Sequence, residues 1–185
     1  MNRFFAFLFL SSVALVSARA DLLGTAVDVL PAQGWKSISA IEPGQTPPPF
    51  PTLKFVPADG RNAAVILSLL PANAPGYEVN DLASLTRFNL VAARPFLSAP
   101  DARPPLTELK IAGGIGGYIV NEDPDLVGKP VPPDEYRIAA TATVLLEGKY
   151  LIHCTIFYDE KDSRDFKEAL KLLLSASVHA PSSTI

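Results

Sequence analysis

Two strand-forming runs separated by a short turn constrain the fold of this 185-residue chain more than any other feature. Residues 135–146 are rich in Thr, Ala, Val and Ile, and residues 149–158 continue with Tyr, Leu, Ile and Phe. Branched and aromatic side chains favour strands, and Glu147-Gly148 between the runs suits a turn. The pattern predicts a long β-hairpin, so the fold should be built around antiparallel strand pairing.

Two helices are predicted outside the hairpin. Asn80 is a suitable cap for a helix that runs to about Arg94, where Pro95 ends it. The second helix covers residues 162–178, with Asp162 as its cap and Asp165 in its first turn. Apolar residues recur at helical spacing in both segments. They are Leu82, Leu85, Phe88, Ala92 and Phe96 in the first, and Phe166, Ala169, Leu170 and Leu173 in the second.

Shorter strand-like segments complete the pattern. They cover residues 35–41, 52–56, 63–70, 107–112 and 117–121, and Asp59-Gly60 between the second and third favours a hairpin turn. The order β-β-β-α-β-β-β-β-α predicts an α+β fold, an antiparallel sheet covered by helices. The proline-rich segments 43–51, 98–105 and 123–133 are expected to be loops within a single domain over residues 21–180, and residues 181–185 a disordered tail.

The first twenty residues have the three parts of a secretory signal peptide. Arg3 is followed by an apolar run over residues 4–16, and Ala18-Arg19-Ala20 favours cleavage before Asp21. Val16-Ser17-Ala18 is a rival cleavage site. The apolar run is shorter than the about 20 residues of a membrane-spanning helix. We therefore expect an exported protein, periplasmic or secreted, with no integral membrane segment after cleavage.

The charge of the mature part argues against polyanionic partners. Of the 16 basic residues the leader carries two, which leaves 14 against 19 acidic residues and a formal charge of −5. Such a surface does not attract a nucleic-acid backbone or an anionic lipid surface.

Cys154 and His153 lie side by side in the apolar run of the second hairpin strand. Cys154 is the only cysteine, so no internal disulfide is expected, and a buried structural thiol is the favoured interpretation. Tyr150, Ile152, Cys154 and Ile156 should share one face of the strand. A two-residue turn at Glu147-Gly148 would place Thr141 and Thr143 opposite Cys154 and Ile152. Trp35, the single Trp, is expected to be buried.

His153 is the residue around which a catalytic site is conceivable. His179 lies near the tail, and the two histidines have no zinc-binding spacing. A hydrolase would need His153 beside a Ser or Cys and an acid, brought together from distant segments. A sheet-face histidine is the favoured interpretation.

Three other patterns favour structural roles. Gly113-Gly114-Ile115-Gly116-Gly117 lacks both the dinucleotide and the phosphate-loop signatures, so a bend or bulge is predicted. Residues 121–125, Asn-Glu-Asp-Pro-Asp, do not match a calcium loop and are interpreted as a solvated acidic turn. Tyr136, Tyr150 and Tyr158 could line a groove but are typical strand residues.

Several segments resemble the PsbP-like fold, which includes the Ran-binding Mog family and bacterial periplasmic relatives. The resemblance is carried by residues 30–36 (Leu-Pro-Ala-Gln-Gly-Trp-Lys), the hairpin over residues 136–156 and the closing helix, which ends in Leu-Leu-Leu-Ser-Ala-Ser-Val. It implies an α/β/α sandwich around a central antiparallel sheet. Family members serve as binding or assembly-supporting modules in unrelated settings, so the resemblance implies no particular site residue.

The sequence therefore predicts an exported, non-catalytic binding or assembly-supporting module, with a protein or small molecule as its partner. It assigns no catalytic, cofactor-binding or metal-binding residue, and no cofactor. Two alternatives stay open, a hydrolase with a site assembled around His153 and a small-ligand carrier. A closed apolar pocket of about 300 Å³ or more would favour the carrier.

Overall fold

The computed structural model describes residues 20–21, 26–40, 46, 49–72, 78–99, 101–133, 135–161 and 163–179. Four predictions lie wholly or mostly outside the described residues. They are the leader apart from Ala20, most of the loop over residues 43–51, the helix cap Asp162 and the tail over residues 181–185.

Ten strands and two α-helices follow each other along the described part of the chain. They are β1 (Ala20–Asp21), β2 (Val27–Val29), β3 (Trp35–Ile38), β4 (Thr52–Pro57), β5 (Ala64–Pro71), α1 (Leu82–Ala93), β6 (Thr107–Leu109), β7 (Gly114–Glu122), β8 (Ile138–Leu146), β9 (Tyr150–Tyr158), α2 (Arg164–Leu174) and β10 (Ser177–Val178).

Seven of these strands form an antiparallel sheet in the order β3-β4-β5-β9-β8-β7-β6. The predicted hairpin is confirmed as β8 and β9, which lie at its centre. Every residue of β8 is buried, because the strand has a neighbour on each edge and a helix over each face of the sheet.

The turn of this hairpin has three residues rather than two. Leu146 lies opposite Tyr150, so Glu147, Gly148 and Lys149 all fall in the turn. Glu147 and Gly148 have φ values of 52° and 64°, and the Lys149 amide donates to the Leu146 carbonyl at 3.0 Å. Lys149 is therefore an extra residue in the return strand, like the residue of a β-bulge.

That extra residue reverses the predicted facing of the threonines, because a one-residue shift turns every side chain to the other face. Cys154 lies opposite Ala142, not opposite Thr141 as predicted. Thr143 instead shares a face with His153, which lies directly opposite it.

One face of the sheet packs against α2. Phe166, Ala169 and Leu173 are buried as predicted, whereas Leu170 is half-buried. Trp35 is 8% exposed, which confirms its predicted burial. Its indole Nε1 donates to Glu168 Oε2 of α2 at 2.8 Å, which fixes the first strand of the sheet to the helix.

The ends of α2 differ from the prediction. Ser163 is its cap, and the serine hydroxyl accepts from the amide of Phe166 at 3.2 Å. The helix ends at Leu174 instead of continuing to Val178. Ser177 and Val178 form β10, which pairs with β2 in a separate three-stranded sheet of order β1-β2-β10.

The opposite face of the sheet packs against α1, over β7 and β8. Its cap is Asp81, one residue after the predicted Asn80. The Asp81 carboxylate accepts from the Ser84 amide at 2.7 Å, and the Ser84 hydroxyl accepts from the Asp81 amide in return, a capping box. Leu82, expected on the apolar stripe, is exposed, whereas Leu85 is fully buried.

The glycine cluster does not form a bulge. Gly113 has a φ of 70° and lies in the turn before β7, and the other glycines continue within that strand. A Cβ on Gly114 would collide with the Leu145 carbonyl oxygen of β8. Gly114 is therefore required, because the β7 backbone has so little room at that position.

The architecture confirms the predicted α+β class, with a helix on each face of a central antiparallel sheet. The α2 face carries a hydrophobic core that includes Trp35, Cys154 and Phe166. A smaller cluster, which includes Leu85, Leu145 and Leu151, lies under α1. The two faces therefore differ in how completely they are packed.

Candidate functional site

Four polar side chains form a row across neighbouring strands on the α1 face of the sheet. Thr52, Ser68, His153 and Thr143 lie at successive opposed positions of β4, β5, β9 and β8. The hydroxyl oxygens of Thr52 and Ser68 are 2.8 Å apart. We call these four residues the polar row.

Asn89 of α1 sets the direction of the hydrogen bonds at one end of the polar row. Its side chain is fully buried, and its Nδ2 donates to the Gly117 carbonyl at 3.3 Å. The Thr143 hydroxyl donates to Asn89 Oδ1 at 2.7 Å. Because that hydroxyl has one hydrogen, it accepts from His153 Nδ1, 3.1 Å away. Nδ1 therefore carries the ring proton, and Nε2 is left as an acceptor.

Burial keeps the ring of His153 neutral. It lowers the pKa of the imidazole from the usual 6.5 to about 4, because a charged ring is poorly solvated there. Phe88 of α1 packs edge-to-face against the ring, with 5.5 Å between the ring centroids. At neutral pH the site therefore offers a neutral acceptor of fixed orientation.

A cleft of about 720 Å³ opens above this histidine. Most of its lining is apolar, contributed by Phe50, Leu70, Val79, Phe88, Val91 and Ala92. Ser68 and His153 are among its polar lining residues, and the exposed residues Glu78 and Arg87 border it. We call this space the His153 cleft. Its volume lies in the usual range for small-ligand sites, about 300–1,000 Å³.

The structure does not bring together the residues that a hydrolase site around His153 would need. Among the described residues, no hydrogen bond connects His153 to a serine, a cysteine or a carboxylate, and its Nδ1 is bonded to Thr143. The Thr143 hydroxyl is fully buried and already donates to Asn89. A histidine with a pKa near 4 is also a weak general base at neutral pH.

Cys154 points to the other face of the sheet. It is fully buried and free, as predicted. Its strand neighbours on that face are Ala142 and Leu67. Burial raises the pKa of the thiol, so the thiol is not ionised at neutral pH. Because the two side chains face opposite sides of the sheet, Cys154 does not share a site with His153.

The remaining candidates lie elsewhere. His179 Nδ1 is 3.4 Å from Asp28 Oδ2, beside the small sheet. Tyr158 is buried and stacks on Phe166, whereas Tyr136 borders a second cleft. Within the described ranges, no three His, Cys, Asp or Glu side chains are grouped so that they could hold a metal ion.

The sequence did not indicate Asn89, Thr143 or Ser68 as residues of a functional site. One signal was available for Asn89, because it follows Leu85 by four residues and therefore lies on the buried side of α1. A polar residue on an apolar stripe needs a partner in the core. The partner could not be found from the sequence, because the hairpin register that brings Thr143 to this face depends on one turn residue.

Two helices on opposite faces of a seven-stranded antiparallel sheet define an α+β sandwich, and an apolar cleft with a polar floor lies beside one helix. No protein-family model and no curated protein sequence matches the chain. Among solved structures, the chain is similar to that of the Saccharomyces cerevisiae Ran-binding protein Mog1p. The two chains are 12% identical, with 87% of this chain and 94% of that chain covered and a TM-score of 0.52. At this identity the likeness shows a shared fold.

None of the helices in the described ranges has the length and apolar character needed to cross a membrane.

Proposed function

We propose that this protein is an exported, non-catalytic binding module that holds a small, largely apolar ligand in the His153 cleft. The observation that carries the proposal is that His153, whose remaining ring nitrogen Nε2 can only accept, lines a cleft of about 720 Å³ whose lining is mostly apolar. Export rests on the leader pattern of residues 1–20, and kinship with the PsbP-like and Mog proteins rests on the shared fold and on the segments quoted above.

The cleft determines the chemistry of the ligand. Phe50 and Phe88 provide aromatic surface for a flat apolar body. Because Nε2 can only accept at neutral pH, the ligand must present one N–H or O–H donor to it. A buried acceptor left without a donor weakens binding by about 1–3 kcal/mol, so the site should discriminate strongly against ligands that lack the donor.

The carrier function is favoured over catalysis because the polar groups already satisfy each other. Asn89, Thr143 and His153 form a closed chain in which no hydroxyl is activated and no carboxylate takes part. Such a chain orients an acceptor and rigidifies the site.

Indole and 1-methylindole make a matched pair of probes, because they share the same ring and a methyl group replaces the N–H donor in the second. Binding of each to the purified protein is measured by calorimetry and by amide chemical shifts. We expect indole to bind about tenfold more tightly than 1-methylindole, as for one well-made hydrogen bond. Equal affinities, or binding of neither probe, would contradict the proposal.

Variants assign the effect to His153. His153→Phe removes the acceptor and should abolish the preference for indole, whereas His153→Gln keeps an acceptor and should retain part of it. His179→Phe is the matched control, since the other histidine lies beside Asp28 on the small sheet. If His179→Phe lowered the preference as much as His153→Phe, the assignment would be wrong.

A further inference from the structure

A second cleft lies beyond the C-terminal end of α1, on the same side of the sheet. It has a volume of about 510 Å³ and is bordered by the 3-10 turn Arg94–Phe96, by the ends of β7, β8 and β9, and by the loop that joins β7 to β8. We call it the Asn121 cleft. The proposed ligand site at His153 does not include it.

Asn121 is an unsatisfied polar residue in the lining of this cleft. It lies on β7 opposite the small residue Ala139 and is 8% exposed. Its Nδ2 is shielded from solvent and has no hydrogen-bond partner among the described residues. Leaving a buried amide donor unpaired costs about 1–3 kcal/mol. The last side-chain torsion of Asn is soft, so the amide can turn its N–H groups toward a ligand carbonyl in the cleft.

The rim of the cleft is acidic. Asp123, Asp125 and Glu135 are exposed and border the space. The one cation among the lining residues is Arg137. Its guanidinium donates to three main-chain carbonyls, those of Leu126, Lys129 and Asp159, at 3.1, 2.6 and 3.0 Å, and none of these hydrogen bonds uses the three carboxylates. Three carboxylates against one guanidinium leave the lining with an excess of negative charge, so the cleft attracts cations.

The wall of the cleft is aromatic. Phe157 of β9 packs edge-to-face on Phe96, with centroids 5.5 Å apart, and lies at 5.1 Å and a 31° tilt from Tyr136. All three rings line the space and are half-buried. A guanidinium group stacks on such faces while it pairs with carboxylates, and arginine does so better than lysine because its charge is planar and weakly hydrated.

We propose that the Asn121 cleft binds a basic segment of a protein partner, with an arginine side chain between the aromatic wall and the carboxylates. The Asn121 amide donates to a main-chain carbonyl of the same segment. A neutral or acidic ligand could accept from the amide but would not pair with the carboxylates of the rim. A free metal ion could bind the carboxylates but would leave the aromatic rings without a partner.

The test uses two acetylated and amidated peptides, Ala-Ala-Arg-Ala-Ala and the same peptide with citrulline in place of arginine. Citrulline keeps the shape of arginine and removes its charge. Titrations of the purified protein are followed by amide chemical shifts. We expect the arginine peptide to bind about tenfold more tightly at low salt, with an advantage that shrinks as salt screens the ion pairs. Equal binding of the two peptides, or no binding of either at millimolar concentration, overturns the proposal.

Two variants separate the two parts of the site. The triple change Asp123→Asn, Asp125→Asn and Glu135→Gln should reduce arginine binding to the citrulline level. Asn121→Ala should weaken both peptides by a similar factor, because it removes the contact to the main chain that they share. An Asn121→Ala protein that binds both peptides normally would refute the role of the amide in the site.

The melting temperature of Asn121→Ala shows whether the variant is folded, so a loss of binding can be separated from a loss of structure. Because the variant removes an unpaired buried donor, its melting temperature should stay within a few degrees of the wild type. His153→Phe should leave peptide binding unchanged, and Asn121→Ala should leave indole binding unchanged. These two variants therefore distinguish failure of the proposed ligand site at the His153 cleft from failure of the proposed arginine site at the Asn121 cleft.

Discussion

Cys154 and His153 are adjacent in sequence but belong to different environments, because neighbouring strand residues face opposite sides of a sheet. Cys154 lies in the hydrophobic core on the α2 face, and among the described residues burial is the one influence that shifts the pKa of its thiol, upward. His153 lies on the α1 face, in a row of hydrogen-bonding groups. Each residue therefore allows a separate prediction.

The thiol should react slowly in the native protein. Burial raises the pKa of Cys154 and blocks access to reagents. Alkylation followed by mass spectrometry should show much slower labelling of the native than of the denatured protein. Cys154→Ser should lower the free energy of unfolding by about 1–3 kcal/mol, because it places an unpaired hydroxyl in an apolar row, and Cys154→Ala should cost less. Native labelling as fast as denatured labelling would show an exposed or activated thiol.

His153 should make stability depend on pH. Its folded pKa, about 4, lies below the unfolded value of 6.5, so the unfolded chain binds a proton first as pH falls. The stabilising effect of the neutral ring is complete above pH 6.5 and is lost as pH falls toward 4, by up to about 3 kcal/mol. Urea unfolding across this range should show a shallower pH slope for His153→Gln than for the wild type. His179→Gln is the control, and an unchanged slope in His153→Gln would contradict the assignment.

At the scale of elements, the hairpin turn is the most informative segment. Glu147 has a φ of 52°, in the left-handed region that residues other than Gly, Asn and Asp adopt at a cost. Glu147→Asn places the favoured Asn-Gly pair in this turn and should raise the free energy of unfolding by about 0.5–1 kcal/mol.

The matched control is Gly148→Ala, at a φ of 64°. No atom would contact the new Cβ, so the loss of stability, about 1–2 kcal/mol, would come from the backbone alone. Denaturant unfolding of both variants measures the two effects. A destabilised Glu147→Asn protein would show that the Glu147 side chain contributes more than its backbone strain costs.

The same turn shows how far the sequence could predict the structure. Alternation and β-propensity were enough for the β8–β9 hairpin and for the order of the elements from β3 to α2, but β1, β2 and β10, which form the small sheet, were not predicted. They could not determine whether two or three residues form the turn, because that depends on the backbone conformation of Glu147 and Lys149. The helix caps were displaced by one residue for a similar reason, since Asn80 and Asp81 are both good caps and only side-chain geometry selects between them.

At the scale of the whole molecule, the two faces of the sheet have different roles. The α2 face carries the larger core, continuous from Val27 of the small sheet to Leu173 of the helix. On the other face α1 covers mainly β7 and β8. The His153 cleft runs along the side of α1, and the Asn121 cleft lies beyond its C-terminal end. The clefts were beyond prediction because their walls come from segments far apart in sequence, such as Phe50 and His153 in one and Phe96 and Glu135 in the other.

Export is the property of the whole chain that most needs a direct test. Arg3, the apolar run over residues 4–16 and the small residues Ala18 and Ala20 favour cleavage before Asp21, or before Arg19 at the rival site. Cleavage before Asp21 removes Ala20 from its pairing with Val29.

Loss of that pair should not disturb the fold, since β2 stays paired with β10 and the side chains of Val27 and Val29 stay in the core. Intact-mass analysis of the protein from a cell-envelope or secreted fraction should therefore give a folded chain that begins at Asp21 or Arg19. Ala20→Phe, which places a bulky residue at the main cleavage position, should shift the start to Arg19 or leave the leader attached. Recovery of the wild-type protein from that fraction with Met1 still in place would exclude cleavage.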